Sequence, residues 1–126
     1  MSELVEEWLA KAEEDWAAAR VLLEDELALV TPALFHMQQS AEKLLKALLI
    51  KKEIAFERRH DLGYLLRLSG EHELQKESRL LNALNPFAVE LRYPGDLPQL
   101  SISQASALLE NLGEFRVRLL ALIKEQ

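Results

Sequence analysis

Apolar residues recur along this chain at intervals of three and four in four long stretches. That spacing places them on one side of an α-helix, and no run shows the alternation typical of a half-buried strand. The pattern predicts helices at about residues 3–27, 32–52, 61–69, 73–89 and 103–124. Helices joined by such short connections favour one all-α domain over residues 1–126, folded as an antiparallel up-and-down bundle of four to five helices.

Residues that commonly begin or end helices support these boundaries. Thr31 is placed as an N-cap, with Pro32 in the first turn of the second helix. Gly70 is typical of a helix C-terminus. Ser101 or Ser103 could cap the last helix, and Ser101 with Gln104 three residues later matches a capping box. The main irregular loop is predicted at residues 90–100, close to three of the four prolines: Pro86, Pro94 and Pro98.

Polar residues interrupt the apolar side of three predicted helices. Asp15 lies seven residues from both Trp8 and Leu22, Gln38 and Glu42 lie in or beside the apolar arc of the second helix, and Arg116 lies within that of the last. An isolated charge in a dry core is costly, so these groups must pair or reach water. One interpretation is a buried Asp15–Arg116 pair, or a Glu42–arginine pair, that fixes helix register. The other is a polar pocket that opens between the helices.

Composition restricts the class of protein. Hydrophobic residues make up 49% of the 126 residues and charged residues 29%, a balance typical of globular domains. The chain has no cysteine, which excludes disulfides, thiolate zinc sites, iron–sulfur clusters and a cysteine nucleophile. The N-terminal stretch is acidic and amphipathic, unlike a signal peptide, and no apolar run approaches the roughly 20 residues that span a bilayer. We therefore expect a soluble cytoplasmic protein.

Charge is distributed unevenly along the chain. The net charge is −6, which does not favour polyanion binding as a global property. Residues 1–27 hold nine acidic and two basic residues, a net −7, whereas residues 43–67 hold seven basic and three acidic residues, a net +4. These segments are either two solvated helix faces of opposite sign or a dipolar surface that orients a partner or a second copy of the chain.

Three segments occur in a recognisable order. They are FHMQQSAEKLLKALL at 35–49, HDL at 60–62 followed by Leu65 and Leu66, and RYP at 92–94. Together with Ala12, Asp15 and Ala19 in the first helix, this set resembles the HEPN domain family over roughly residues 3–124. The 35–49 segment is the most specific part, whereas HDL or RYP alone would be weak. The resemblance implies an up-and-down helical bundle.

The same resemblance implies a function. HEPN proteins are often small partners encoded beside minimal nucleotidyltransferases, in pairs commonly interpreted as toxin–antitoxin modules, and the catalytic branches resemble metal-independent ribonucleases. Those branches carry a late arginine with a histidine four to six residues beyond it. No histidine follows Arg92 here, and the pair Arg67 and His72 crosses the helix end at Gly70. The chain therefore resembles the RYP-bearing branch, which implies a non-catalytic partner that binds the transferase or its nucleotide or other small substrate.

The resemblance and the interrupted apolar faces define one candidate ligand site. The carboxylates of Asp15 and Glu42 would accept hydrogen bonds from the ligand, and Arg92 would contact an anionic group of it. Gln38 would hydrogen-bond to a neutral polar edge of the ligand. The predicted ligand-binding residues are Asp15, Gln38, Glu42, His60, Arg92 and Arg116. The alternative function is a metal-independent ribonuclease toxin in which folding brings Arg92 together with His60 or His36. No cofactor is expected, and no set of residues has the spacing of metal ligands.

Several residues have a second interpretation. His60 or Asp61 could cap the short third helix, and His36 is expected to be solvated or at an interface. Tyr93 is a candidate for modification by a transferase. Phe35, Ala47 and Ile50 add apolar groups to the polar side of the second helix, which predicts a further contact within the chain or between two copies, and hence a homodimer.

Overall fold

The computed structural model describes residues 2–88 and 94–125. Within these ranges the chain is helical and contains no strand, which confirms the predicted all-α bundle. The α-helices are α1 (Glu3–Glu24), α2 (Val30–Lys51), α3 (Leu62–Ser69), α4 (Ser78–Leu84) and α5 (Ile102–Lys124). Short 3₁₀ helices occur at His72–Glu77, Asn85–Phe87 and Pro94–Asp96.

Helix α2 forms the centre of the bundle. It is buried on almost every side, because α1, α5, α3 and α4 all pack against it. Its apolar side chains are inaccessible to solvent: Leu34, Met37, Ala41, Leu44, Leu45, Ala47, Leu48 and Leu49. A central helix must also bury some of its polar positions, and each of those then needs a hydrogen-bond partner.

Helix α1 runs antiparallel to α2. The buried Ser40 hydroxyl donates to the Ala12 carbonyl at 3.0 Å, while Asp15, one turn later in α1, contacts His36, one turn earlier in α2, so the two helices run in opposite directions. A short connection joins them, and in it Asp25 accepts a hydrogen bond from the Leu27 amide at 2.8 Å. That bond closes a turn directly after Glu24, so the prediction of helix to residue 27 was three residues too long.

Helix α5 packs against α1 and α2 and runs antiparallel to α1. The Trp16 ring lies over Gly113, where a Cβ atom would be only 3.1 Å from Cη2 of Trp16. At the other end, Lys51 of α2 donates to the Leu122 carbonyl at 2.9 Å and also to the Glu125 carbonyl. These bonds satisfy carbonyls that the end of α5 leaves without helical partners.

The predicted helix termini agree with the structure at three points and disagree at one. Gly70 ends α3 with a left-handed φ of 68°, and Ser101 and Gln104 form the reciprocal capping box of α5. The Thr31 N-cap was wrong. Helix α2 begins at Val30, and its N-cap position has no side-chain hydrogen bond. Pro32 still falls in the first turn. Amide groups of the first turn have no acceptor within the helix, so the missing amide hydrogen of proline costs no helical hydrogen bond.

The predicted helix at 73–89 is divided into three pieces. A 3₁₀ segment, α4 and a second 3₁₀ segment follow one another between His72 and Phe87. Pro86 lies at the start of the second 3₁₀ segment and has no amide hydrogen to continue the α-helix, so α4 stops at Leu84. No helix in the described part of the chain is long and apolar enough to cross a bilayer.

Candidate functional site

A buried carboxylate organises polar side chains at the centre of the bundle. Glu42 of α2 is 3% exposed, and its Oε1 accepts a hydrogen bond from Gln38 Nε2 at 3.1 Å. Its Oε2 accepts one from Lys46 Nζ at 3.0 Å. Nδ1 of His60, from the loop before α3, lies 2.9 Å from Oε1 and 3.2 Å from Oε2. We call Gln38, Glu42, Lys46 and His60 the Glu42 cluster.

The surroundings of Glu42 favour its ionised form. Burial by itself would raise the pKa of this carboxyl group, but hydrogen bonds from Gln38, His60 and Lys46 and the positive charge of Lys46 outweigh it. The pKa of Glu42 is therefore held below its ordinary value. At neutral pH the cluster contains a carboxylate that can only accept hydrogen bonds.

Lys46 reaches Glu42 through an aromatic enclosure. Its ammonium group lies 5.5 Å from the centroid of the Trp8 ring and 5.8 Å from that of Phe56, within the range of cation–π attraction. The Lys46 side chain is only 10% exposed. The helical wheel places Lys46 on a polar face and does not predict that α1 and the loop after α2 cover this side chain. The Glu42–Lys46 spacing of four residues was the one available signal.

His60 and Asp61 have different roles. Oδ1 of Asp61 accepts the Tyr64 amide at 3.2 Å and caps α3, whereas His60 turns to Glu42. Burial acts to raise the pKa of Asp61, but hydrogen bonds from the Tyr64 amide and Asn85 and the nearby arginines hold it below the ordinary value. The His60 side chain remains 61% exposed, so it connects the buried Glu42 to the surface.

A second carboxylate lies between α1 and α2. Asp15 is buried, its Oδ1 is 2.8 Å from His36 Nδ1, and its Oδ2 accepts from Lys43 Nζ at 2.6 Å. The His36 ring is also edge-on to Phe35, with centroids 5.2 Å apart. We call Asp15, His36 and Lys43 the Asp15 cluster. Like the Glu42 cluster, it has one histidine and one lysine on a single carboxylate, but it has no glutamine bonded to that carboxylate.

Arg116 belongs to neither cluster. Its guanidinium group makes a bidentate ion pair with Glu13 of α1, at 2.7 to 3.2 Å, and lies 5.5 Å from the Trp16 ring centroid. The predicted Asp15–Arg116 pair was therefore wrong, because the long arginine side chain reaches the more exposed Glu13. Within the described residues Glu42 has no arginine partner either, and Lys46 takes that place.

The structure brings together half of the predicted site. Gln38, Glu42 and His60 form one hydrogen-bonded group, Asp15 lies in the neighbouring cluster, and Arg116 lies between α1 and α5. The two histidines offered for the ribonuclease alternative contact different carboxylates. Arg92 and Tyr93 lie outside the described residues. Sequence reasoning named His36 only for the ribonuclease alternative, and it missed Lys43 and Lys46 as partners of these carboxylates.

Two further features bear on what the site could bind. A groove of about 500 Å³ runs along α1 and is lined by Leu4, Glu7, Trp8, Ala10, Lys11 and Glu14. Across residues 2–88 and 94–125, no group of three or more histidine, aspartate or glutamate side chains could hold a metal ion.

Comparison with known proteins identifies the chain at the level of the family. The family model described as HEPN domain matches residues 5–121, nearly the whole chain. No curated protein and no solved structure matches. The match agrees with the resemblance carried by the 35–49, HDL and RYP segments.

Proposed function

The chain belongs to the HEPN family, and from that premise we propose that it is a non-catalytic partner of a minimal nucleotidyltransferase. In this proposal the Glu42 cluster binds the transferase or its nucleotide or other small substrate. The observation that carries the proposal is the exposed His60 ring fixed on a buried carboxylate, because an orientation set in advance lowers the entropic cost of recognition.

The charge around the site suggests what meets it. Lys46 and His60 of the cluster lie in the basic segment 43–67, and Arg58 and Arg59 directly precede His60 in the loop before α3. Arg59 is stacked on Tyr64 at 4.0 Å and held by Asp61 at 3.1 Å, so its guanidinium group is also fixed in place. A partner surface or ligand that carries negative charge would complement the arginines of this loop.

Copurification tests the partnership directly. The chain is co-expressed with the nucleotidyltransferase encoded beside it, and we expect the two to elute together from a size-exclusion column. His60→Gln should weaken the complex, whereas His72→Gln, a change at an exposed histidine outside the cluster, should not. Separate elution of the wild-type proteins would contradict the proposal.

Titration tests the nucleotide branch of the same proposal. Adding ATP to the ¹⁵N-labelled chain should shift amide signals around His60 and the Glu42 cluster first. If binding of the transferase persists while ATP shifts nothing, the cluster recognises the enzyme and not its substrate. We also propose that the two proteins form a toxin–antitoxin pair. If the chain is the toxin, depleting its partner should arrest growth. If the chain is the antitoxin, its expression should relieve the arrest that the partner causes.

We further propose a homodimer. Phe35 and Ile50 stay half-buried on one side of α2, whereas Ala47 is used inside the bundle. Partly covered apolar groups on a polar side favour a symmetric contact between copies. Light scattering that shows only a 14.4 kDa species at high concentration would contradict this.

One observation favours the ribonuclease alternative. His36 and His60 are each oriented by a carboxylate through Nδ1, as general acid–base catalysis requires. Against it, no arginine of the described residues is a hydrogen-bond or stacking partner of either histidine. Purified protein should leave structured and single-stranded RNA intact. Cleavage that Arg92→Ala or His60→Ala abolishes would establish the alternative.

A further inference from the structure

His60 has the geometry of an oriented nucleophile. Its Nδ1 lies within 3.2 Å of both oxygens of Glu42, so the ring is held by a carboxylate that is itself fixed by Gln38 and Lys46. The His60 side chain as a whole is 61% exposed, and Nε2 is the ring nitrogen that Glu42 does not engage. A small molecule in solution can therefore approach Nε2 without any rearrangement of the bundle.

The hydrogen bonding of Glu42 determines which ring nitrogen carries the proton. Because the pKa of Glu42 is held low, this carboxylate has no proton to donate at neutral pH. The bond between Glu42 and Nδ1 therefore needs a hydrogen on Nδ1. In the neutral ring Nε2 then carries the free lone pair, which is the tautomer that a nucleophilic imidazole requires.

We propose that Nε2 of His60 is an acceptor site for a phosphoryl group, donated by a small acyl phosphate or phosphoramidate. The Nε2 lone pair forms the bond to phosphorus as the bond from phosphorus to the donor's oxygen or nitrogen breaks, and the electron pair leaves with that group. No proton has to leave the ring. The hydrogen stays on Nδ1, which donates it to Glu42, and the positive charge that develops on the imidazole is paired with the carboxylate.

The charges around the ring suit a phosphorylated donor. Both donor classes carry negative charge, and Arg58 and Arg59 precede His60 in the loop, with Arg59 also paired to Asp61 at 3.1 Å. A carboxylate bound to Nδ1 stabilises the imidazolium product in the way that a buried aspartate supports histidine in hydrolytic triads. The proposal does not require the transferase partner, so it stands or fails separately from the proposed function.

The other two histidines provide internal comparisons. His36 has a carboxylate on Nδ1, but its side chain is 33% exposed, and Asp15 is shared with Lys43 at 2.6 Å. His72 is exposed, and within the described residues no carboxylate is bonded to it. We expect His60 to be phosphorylated first, because it alone of the three combines an orienting carboxylate with a largely exposed ring.

The experiment treats the folded chain with potassium phosphoramidate. Peptide mapping under alkaline conditions and ³¹P NMR should locate the first phosphoryl group on Nε2 of His60. We expect His60→Gln to abolish this product and His72→Gln to leave it unchanged. Glu42→Gln should slow the reaction by about tenfold or more, the scale on which a lost orienting partner acts.

Two measurements on the wild-type chain keep the test independent of whether Glu42→Gln folds. Long-range ¹H–¹⁵N spectra should show the hydrogen of neutral His60 on Nδ1. In 8 M urea the preference for His60 should disappear, because the orientation by Glu42 is lost on unfolding. A hydrogen on Nε2, or equal reaction of His36, His60 and His72 in the folded chain, would overturn the proposal.

Discussion

Arg116 of α5 binds Glu13 of α1 through both Nε and Nη2, at 2.7 to 3.2 Å. The pair connects two residues that are 103 positions apart in the sequence, and the guanidinium group also lies over Trp16. Glu13 and Asp15 are two residues apart on one helix and so point to different sides of it. Arg116 binds the more accessible carboxylate, Glu13, whereas Asp15 is bound by His36 and Lys43.

Replacing Arg116 by lysine tests how much the bidentate geometry contributes. Lysine keeps the charge but cannot bind a carboxylate with two parallel N–H groups. Because both partners are partly exposed, we expect Arg116→Lys to lower the free energy of unfolding by only about 0.5–1 kcal/mol, and high salt to reduce the difference. Urea denaturation at two salt concentrations measures this.

A second ion pair supplies the control. Lys11 and Glu14 lie 3.5 Å apart on the outer side of α1, and both side chains are well exposed. A double-mutant cycle there should give a coupling energy close to zero. Equal coupling energies from double-mutant cycles on Lys11 with Glu14 and on Glu13 with Arg116 would contradict a special contribution from the bidentate contact.

Local features of the fold could be predicted because they depend on neighbouring residues. The capping box of Ser101 and Gln104, the Gly70 terminus and the Asp61 cap each involve at most four consecutive residues. Thr31 is not the cap because the helix already begins at Val30. The capping preference of threonine does not determine at which residue the helix starts.

The candidate site could be predicted only in part, for a related reason. The helical wheel identified Gln38 and Glu42 as polar residues in apolar surroundings, and the HDL segment drew attention to His60. The wheel could not show that Trp8 from α1 and Phe56 from the following loop would enclose Lys46. The burial of Lys46 depends on how separate segments pack together, and the periodicity of a single helix does not predict that packing.

We expect that position 113 must be glycine because the Trp16 ring packs directly against it. A Cβ atom at this position would lie 3.1 Å from Cη2 and 3.6 Å from Cζ2 of Trp16, so the indole would have to move. Alanine improves helix propensity by about 1 kcal/mol, but overpacking typically costs about 1–3 kcal/mol. We expect Gly113→Ala to lower the melting temperature despite the propensity gain.

Reducing the neighbour's size gives the matched test of that contact. In a Trp16→Phe background the smaller ring leaves space for the methyl group, so Gly113→Ala should become neutral or stabilising. Thermal unfolding of the four proteins in the cycle measures the effect. The same loss of stability in both backgrounds would show that Trp16 is not the cause.

Glu53 occupies a left-handed backbone conformation directly after α2, with φ of 58°. Residues with a Cβ atom are strained there, and glycine is not. We expect Glu53→Gly to raise the free energy of unfolding by about 0.5–1 kcal/mol, measured by urea denaturation. Glu53→Ala removes the carboxylate but keeps the strain, so it should leave stability nearly unchanged. A gain with alanine equal to that with glycine would assign the effect to charge.

Glu42 should make the stability of the bundle depend on pH in the acid range. Its pKa is lower in the folded chain than its ordinary value of 4.5, so the folded state favours the ionised form. The resulting stabilisation is fully present above pH 4.5 and is lost as the pH falls through the folded-state pKa. Glu42→Gln should therefore cost most at neutral pH, about 3 kcal/mol for leaving Lys46 buried without its counter-ion, and less near pH 3.

Removing Lys46 together with Glu42 distinguishes the ion pair from the volume that it fills. In Glu42→Gln combined with Lys46→Met, the methionine side chain can pack between Trp8 and Phe56 with no charge to compensate. We expect the double variant to recover most of the stability lost in Glu42→Gln and to show a flatter dependence on pH. Chemical denaturation between pH 3 and pH 8 provides both readouts. If the double variant is less stable than Glu42→Gln at neutral pH, the unpaired lysine is not what destabilises the single variant.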